Sequence, residues 1–346
     1  MTHALSGALV ARATAPRQPR PDQLSLRERT WIGVLAGTIS DIDFVVALFD
    51  HVAYLENHRG VANSLLFMPV WAWLLAVACA FVLGRRYPWR AYYGVILLAI
   101  LAHILGDLIT SYGTQIFAPL SNWAPGWNTT FIIDLWLSGL LALGLLASLY
   151  WRPRTGAALG LVAVTALVLF QYTQYRNAVE LADSWAREQG YTENVAEAYP
   201  QPWSPLNWLL VVDRGERYHL ARVNLRRQTP LIMNPDAHPL WRIRESYLPV
   251  DQLAWRRYDQ FGPDEAAPLA REVWSHDDLA FFRWFANYPA LQAIDQYNGD
   301  QCVIFTDLRF ELEGRESPFR YGMCRSAADA EWVLYRMRAG RSRQAL

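Results

Sequence analysis

Between Val61 and Gly84 the chain runs for 24 residues without a charged side chain. About 20 apolar residues in a helix cross the hydrocarbon core of a bilayer, where every backbone polar group must be paired within the protein, so this run predicts a membrane helix. Thr30–Phe49, Ala91–Thr110, Thr130–Tyr150 and Gly156–Tyr175 read the same way, which makes five spans. Thr2–Ala13 is apolar but too short to cross, and it lacks the basic leader of a secretory signal peptide. It predicts a short helix tucked into the membrane part, followed by an arginine- and proline-bearing loop to Arg29.

Composition changes after Tyr175. Residues 176–346 mix charges with many aromatics in short alternating segments, whereas residues 30–175 are mostly apolar. The expected fold is therefore a polytopic α-helical membrane domain, residues 1–175, followed by an α+β domain, residues 176–346. Within the latter, Trp208–Val212, Tyr218–Asn224 and Cys302–Phe310 read as strands and Asp277–Asn287 as a helix. Arginine placement orients the chain: ten arginines (Arg12, 17, 20, 27, 29, 85, 86, 90, 152 and 154) fall on one side of the five spans and only Arg59 on the other. Short basic loops stay cytoplasmic, so the expectation is a multi-pass inner-membrane protein with its carboxyl-terminal domain extracytoplasmic. In that compartment Cys302 and Cys324, which bracket a hairpin with its turn near Gly314, either pair as a disulfide or stay as two buried thiols. The zero net charge gives no support to a nucleic-acid partner.

Against this apolar background the ionisable residues stand out. His103 and Asp107 are four apart, hence on one face of a helix, inside the third span. Charged groups within a span are costly and usually mark a functional cavity. With the topology above, Asp41, Asp43, His58, His103, Asp107 and Asp134 all fall toward the outer side, and His3 joins them if the first helix enters from there. Imidazole and carboxylate together suit Zn²⁺ and also Mn²⁺. Bland readings exist for each residue: Asp41 and Asp43 as a cap or kink, Asp134 as an N-cap, His58-Arg-Gly60 as a loop whose arginine meets lipid phosphate. His51, Asp50 and Glu56 in the first outer loop, and His219, His238 and His276 further on, show no ligand spacing.

Thr2-His3-Ala-Leu-Ser-Gly7, Ser40-Asp-Ile-Asp43, His58-Arg-Gly60 with Ser64-Leu65, His103-Ile-Leu-Gly-Asp107, Thr110-Ser-Tyr-Gly-Thr114 and Phe131-Ile-Ile-Asp134 occur in this order. Together they resemble the bacterial membrane-bound metal-dependent hydrolase family, the YdjM-like group, whose histidine and aspartate pattern is similar to that of zinc-dependent phospholipase C enzymes. Two departures are visible: Asn63 stands where the family carries a histidine, and Ser40 and Leu135 stand where it commonly has proline. The resemblance implies a metal-dependent hydrolase. His3, His58, His103 and Asp107 are then the expected ligands, Asp41 or Asp43 a further ligand or catalytic base, and Asp134 a ligand or anchor. The depth of the site points to a phosphoester in a lipid or lipid-linked substrate. The alternative is a non-catalytic assembly factor or metal-dependent sensor that acts on a protein partner through its outer domain.

Overall fold

The computed structural model describes residues 1–297, 299–326, 331–338 and 342–346. They form two compact units, one of residues 1–49 and 57–173, the other of residues 50–56 and 174–346.

The first unit is built on the helix Trp89–Leu108. Its buried residues are Tyr92, Val95, Ile96, Ala99, Ile100, His103, Ile104, Asp107 and Leu108, a three-and-four repeat that lines one helix face. His103 and Asp107 continue the inward stripe toward its carboxyl end. The C-terminal carbonyls of this helix find partners in the returning loop: Trp127 N–H donates to Leu108 O, and the amides of Thr129 and Thr130 to Ile109 O.

We label the helices α1 (Thr2–Ala13), α2 (Leu26–Ile39), α3 (His51–Asn57), α4 (Met68–Val82), α5 (Trp89–Leu108), α6 (Leu135–Tyr150) and α7 (Pro153–Glu188). α2 starts at a capping box in which Ser25 and Glu28 bond reciprocally, and at Ser40 it tightens into a 3₁₀ segment, Ser40–Leu48, that carries Asp41 and Asp43. α1 lies against α2 backbone to backbone. A Cβ on Gly33 would stand 2.4 Å from the Gly7 carbonyl oxygen, and one on Gly37 2.4 Å from that of His3. Gly33 and Gly37 thus form a small-xxx-small face, the device by which membrane helices approach closely. The approach has a consequence for Arg12, which the sequence assigns to a cytoplasmic loop. It is buried, and its guanidinium donates to Ser148 Oγ at 2.6 Å and to Ser148 O at 2.8 Å at the end of α6.

Among the described residues, three helices are long and apolar enough to cross a membrane: Leu26–Leu48, Trp89–Leu108 and Pro153–Glu188. α4 adds a fourth if it and His51–Asn63, bent by 80°, count as one broken span. α6 is apolar but short, at 16 residues. The hydropathy pattern gives Val61–Gly84 and Thr130–Tyr150, longer than α4 and α6, because it counts residues that the fold spends on loops. Val61–Asn63 form a 3₁₀ turn, Pro69 sits in the first turn of α4, and Asp134 caps α6 only at Leu135. Trp31, Phe81, Val82, Leu143 and Val162 all stay more than half exposed, as lipid-facing side chains do.

Among the described residues the second unit is rich in strands, in two antiparallel sheets. Val195–Pro200, Asn207–Asp213, Arg217–Asn224 and Arg256–Asp259 form the first in sequential order, β1 to β4. Pro289–Tyr297, Asp300–Asp307, Arg320–Arg325, Val333–Met337 and Arg343–Ala345 form the second, β5 to β9. β2 is buried on both faces: Trp208, Leu210 and Val212 pack with Ala178, Ala182 and Ala186 of α7, and Leu209 and Val211 with Tyr199, Tyr218 and Leu308. That is why it reads as an unbroken apolar run. Cys302 and Cys324 are register partners on β6 and β7 and are joined by a disulfide.

Because Gly33 meets backbone and Gly94 meets nothing within 4 Å, alanine should act oppositely at the two sites. Gly33→Ala should lower thermal stability in detergent by about 1–3 kcal/mol through overpacking. Gly94→Ala should raise it by about 0.4–1 kcal/mol. Equal midpoints for the two variants would contradict the close α1–α2 contact.

Candidate metal centre

Four of the seven residues singled out by sequence meet at one point. One ligand atom from each of His3, Asp41, His103 and Asp107 lies within 4.8 Å of the other three. α5 supplies His103 and Asp107 one turn apart, the 3₁₀ segment after α2 supplies Asp41, and the first turn of α1 supplies His3. His3 has room because residue 106 is glycine, where a Cβ would stand 3.2 Å from the imidazole Cε1. The two imidazoles stack with centroids 3.9 Å apart.

His103 defines the centre. Its Nδ1 lies 2.8 Å from the Gly37 carbonyl oxygen, which can only accept, so Nδ1 carries the proton. In neutral imidazole Nε2 is then a lone pair. It points 3.4 Å from Asp41 Oδ1 and 3.3 Å from Asp107 Oδ2, buried and without a hydrogen bond. Nε2 facing two carboxylates requires positive charge between them, either a proton of its own, which makes the ring an imidazolium, or a bound cation. An imidazole whose other nitrogen donates to a backbone carbonyl is also the usual form of a metal-binding histidine. Asp107 is completed by His3 Nε2 at 3.3 Å and by Arg59 Nη2 at 3.0 Å, both on Oδ1.

Arg59 holds the centre together. It is 5% exposed, has a left-handed backbone (φ 55°), and donates through Nη1 to Thr110 Oγ1 at 2.8 Å and to Asp107 O at 3.3 Å. Its backbone N–H donates to Asp43 Oδ2, and its carbonyl accepts from Gln115 N–H. The bland reading of His58-Arg-Gly60 makes it a loop arginine facing lipid phosphate, whereas it is the buried counter-ion of Asp107. The sequence signal available was an arginine next to a histidine that the pattern had already singled out.

The other three residues stand apart from this group. His58 Nδ1 lies 3.0 Å from Asp43 Oδ2, so these two pair with each other, and the edge of the His58 ring meets Tyr112. Asp134 caps α6: Oδ1 accepts from Leu137 N–H at 2.8 Å and Oδ2 from Gln171 Nε2 at 2.7 Å. Gln171 in turn accepts from Thr130, which ties α7 to the start of α6. In the second unit His219 packs beside Trp185 and Tyr191, and burial with nearby arginines lowers its pKa.

Arg59→Met leaves Asp107 buried without its counter-ion. It should cost about 3–5 kcal/mol in thermal unfolding of the detergent-solubilised chain. Arg86→Met, at the exposed pair with Glu28, should cost less than about 1 kcal/mol.

The sequence profile of the YdjM inner membrane protein family matches residues 1–178. The uncharacterized protein YfhP of Bacillus subtilis (strain 168) is 32% identical over 120 residues, which are 33% of this chain and 36% of that protein. The chain thus spans about a third of this relative's length. No solved structure matches. All four residues of the centre lie within the profile match, which covers half of the chain: it belongs to the YdjM inner membrane protein family.

Proposed function

We propose that this protein is a metal-dependent hydrolase of the inner membrane whose substrate is a phosphoester in a lipid or lipid-linked molecule. The observation that carries the reading is the convergence of His3, Asp41, His103 and Asp107, one ligand atom from each lying within 4.8 Å of the other three, with His103 Nε2 buried and turned onto two carboxylates. His3, His103, Asp107 and Asp41 hold a divalent ion, Zn²⁺ or Mn²⁺, which when bound supplies a Lewis acid and an acidified water. Asp41 is the most exposed of the four, with 43% of its side chain open, and marks the side from which substrate enters. His58, oriented by Asp43, is the proposed proton acceptor. Asp134 anchors the helices that frame the site.

Topology supports the same reading. In this reading the arginine asymmetry argues for a centre toward the outer face and for residues 176–346 outside the cytoplasm, and the Cys302–Cys324 disulfide suits an oxidising compartment. The proposed count is five crossings, with α4 and α6 as the two shorter ones.

The test is turnover by the purified full chain in lipid nanodiscs, loaded with Zn²⁺ or Mn²⁺ and given phosphatidylglycerol or an undecaprenyl phosphoester, with products followed by mass spectrometry. Release of a phosphorylated headgroup is expected. It should be abolished by chelator and fall by at least about 100-fold in His103→Ala and Asp107→Ala. Metal-loaded protein that turns over neither lipid would favour the assembly-factor or sensor reading.

A further inference from the structure

Asn63 is fully buried at the end of the 3₁₀ turn Val61–Asn63. Its Nδ2 lies 3.5 Å from Asp107 Oδ2, a long contact for a donor and a carboxylate. Its Oδ1 is also buried and has no hydrogen-bond partner. A buried amide oxygen left unpaired is costly, and such atoms call for a physical reason.

The two ends of a carboxamide are nearly the same size, so a half-turn about χ2 exchanges them without disturbing the packing. The carbonyl oxygen then takes the place of Nδ2, 3.5 Å from Asp107 Oδ2. Two oxygens about 2.1–2.4 Å from one hard cation and roughly at right angles lie about 3.0–3.4 Å apart. The amide is therefore within a small adjustment of the spacing that two ligands of one ion adopt.

We propose that Asn63 is a fifth ligand of the centre, through Oδ1, and that it biases the site toward Mn²⁺ at the expense of Zn²⁺. The proposal rests on the metal-centre reading above. Two imidazole nitrogens and three oxygens exceed the four donors of a closed zinc site, and with water they make up the six-coordinate, oxygen-rich sphere that suits manganese. A neutral amide oxygen is a hard ligand that adds no negative charge beside Asp41 and Asp107.

Because zinc binds most nitrogen and oxygen sites more tightly than manganese, the readout is the ratio of the two ions. The metal-stripped full chain in detergent is equilibrated with Mn²⁺ and Zn²⁺ together. Bound ions are then counted by mass spectrometry, and bound Mn²⁺ is followed by electron paramagnetic resonance. Asn63→His should shift the bound ratio toward zinc by at least about tenfold, since it exchanges an oxygen for a nitrogen donor. Asn63→Asp should keep manganese binding within about threefold, because a ligand oxygen remains. Asn63→Leu should weaken manganese by about tenfold or more. Unchanged manganese binding in Asn63→Leu, or its loss in Asn63→Asp, would mean that the residue only donates to Asp107 and would overturn the proposal. Should the leucine variant not fold, the histidine and aspartate variants decide. Wild-type protein that binds neither ion would instead overturn the metal centre itself.

Discussion

The hydrogen bond from His103 Nδ1 to the Gly37 carbonyl oxygen is the contact on which the site depends. It fixes the tautomer of the neutral ring, aims Nε2 at Asp41 and Asp107, and ties the carboxyl-terminal part of α5 to α2 near the point where α2 becomes a 3₁₀ segment. Gly37 also admits the backbone of α1, since a side chain there would strike the His3 carbonyl. One residue thus supplies a carbonyl to His103 and clearance for the helix that brings His3.

Much of this site is legible in the sequence for a simple reason: an apolar helix pays heavily for each ionisable group, so His103 and Asp107 announce themselves against their neighbours. Asp41 and His3 required the topology argument and the family resemblance, because neither has a neighbour at ligand spacing. What the sequence could not show is which acids share a centre. Asp41 and Asp43 are two residues apart, yet in the 3₁₀ segment one joins His103 and the other pairs with His58. Asp134 satisfies a helix terminus and Gln171, a role indistinguishable from ligation by spacing alone. Arg59 was hidden for a related reason, since its backbone leaves the helical region and carries a loop residue into the interior.

The same contrast runs through the fold. Strands β2 and β3 stand out because β-branched and aromatic residues recur between turn residues, whereas near-symmetry about Gly314 leaves Cys302 and Cys324 open between a bridge and two thiols until their register on β6 and β7 joins them. The extents of α4 and α6 did not follow from hydropathy, because capping geometry at Asp134 and the turn at Val61–Asn63 consume apolar residues that a window scan counts as helix. The burial of Arg12 was equally hidden: its value to the fold lies in satisfying Ser148 at the end of α6, a partner 136 residues away.

The central claim is that His3, Asp41, His103 and Asp107 hold one divalent ion. It is tested most directly by counting metal ions per chain in protein purified from membranes without chelator, with wild type beside a folded Asp107→Ala variant. The account expects about one ion in the wild type and almost none in the variant. Wild-type protein that stays free of metal after incubation with Zn²⁺ and Mn²⁺, or a variant that retains its ion, would contradict it.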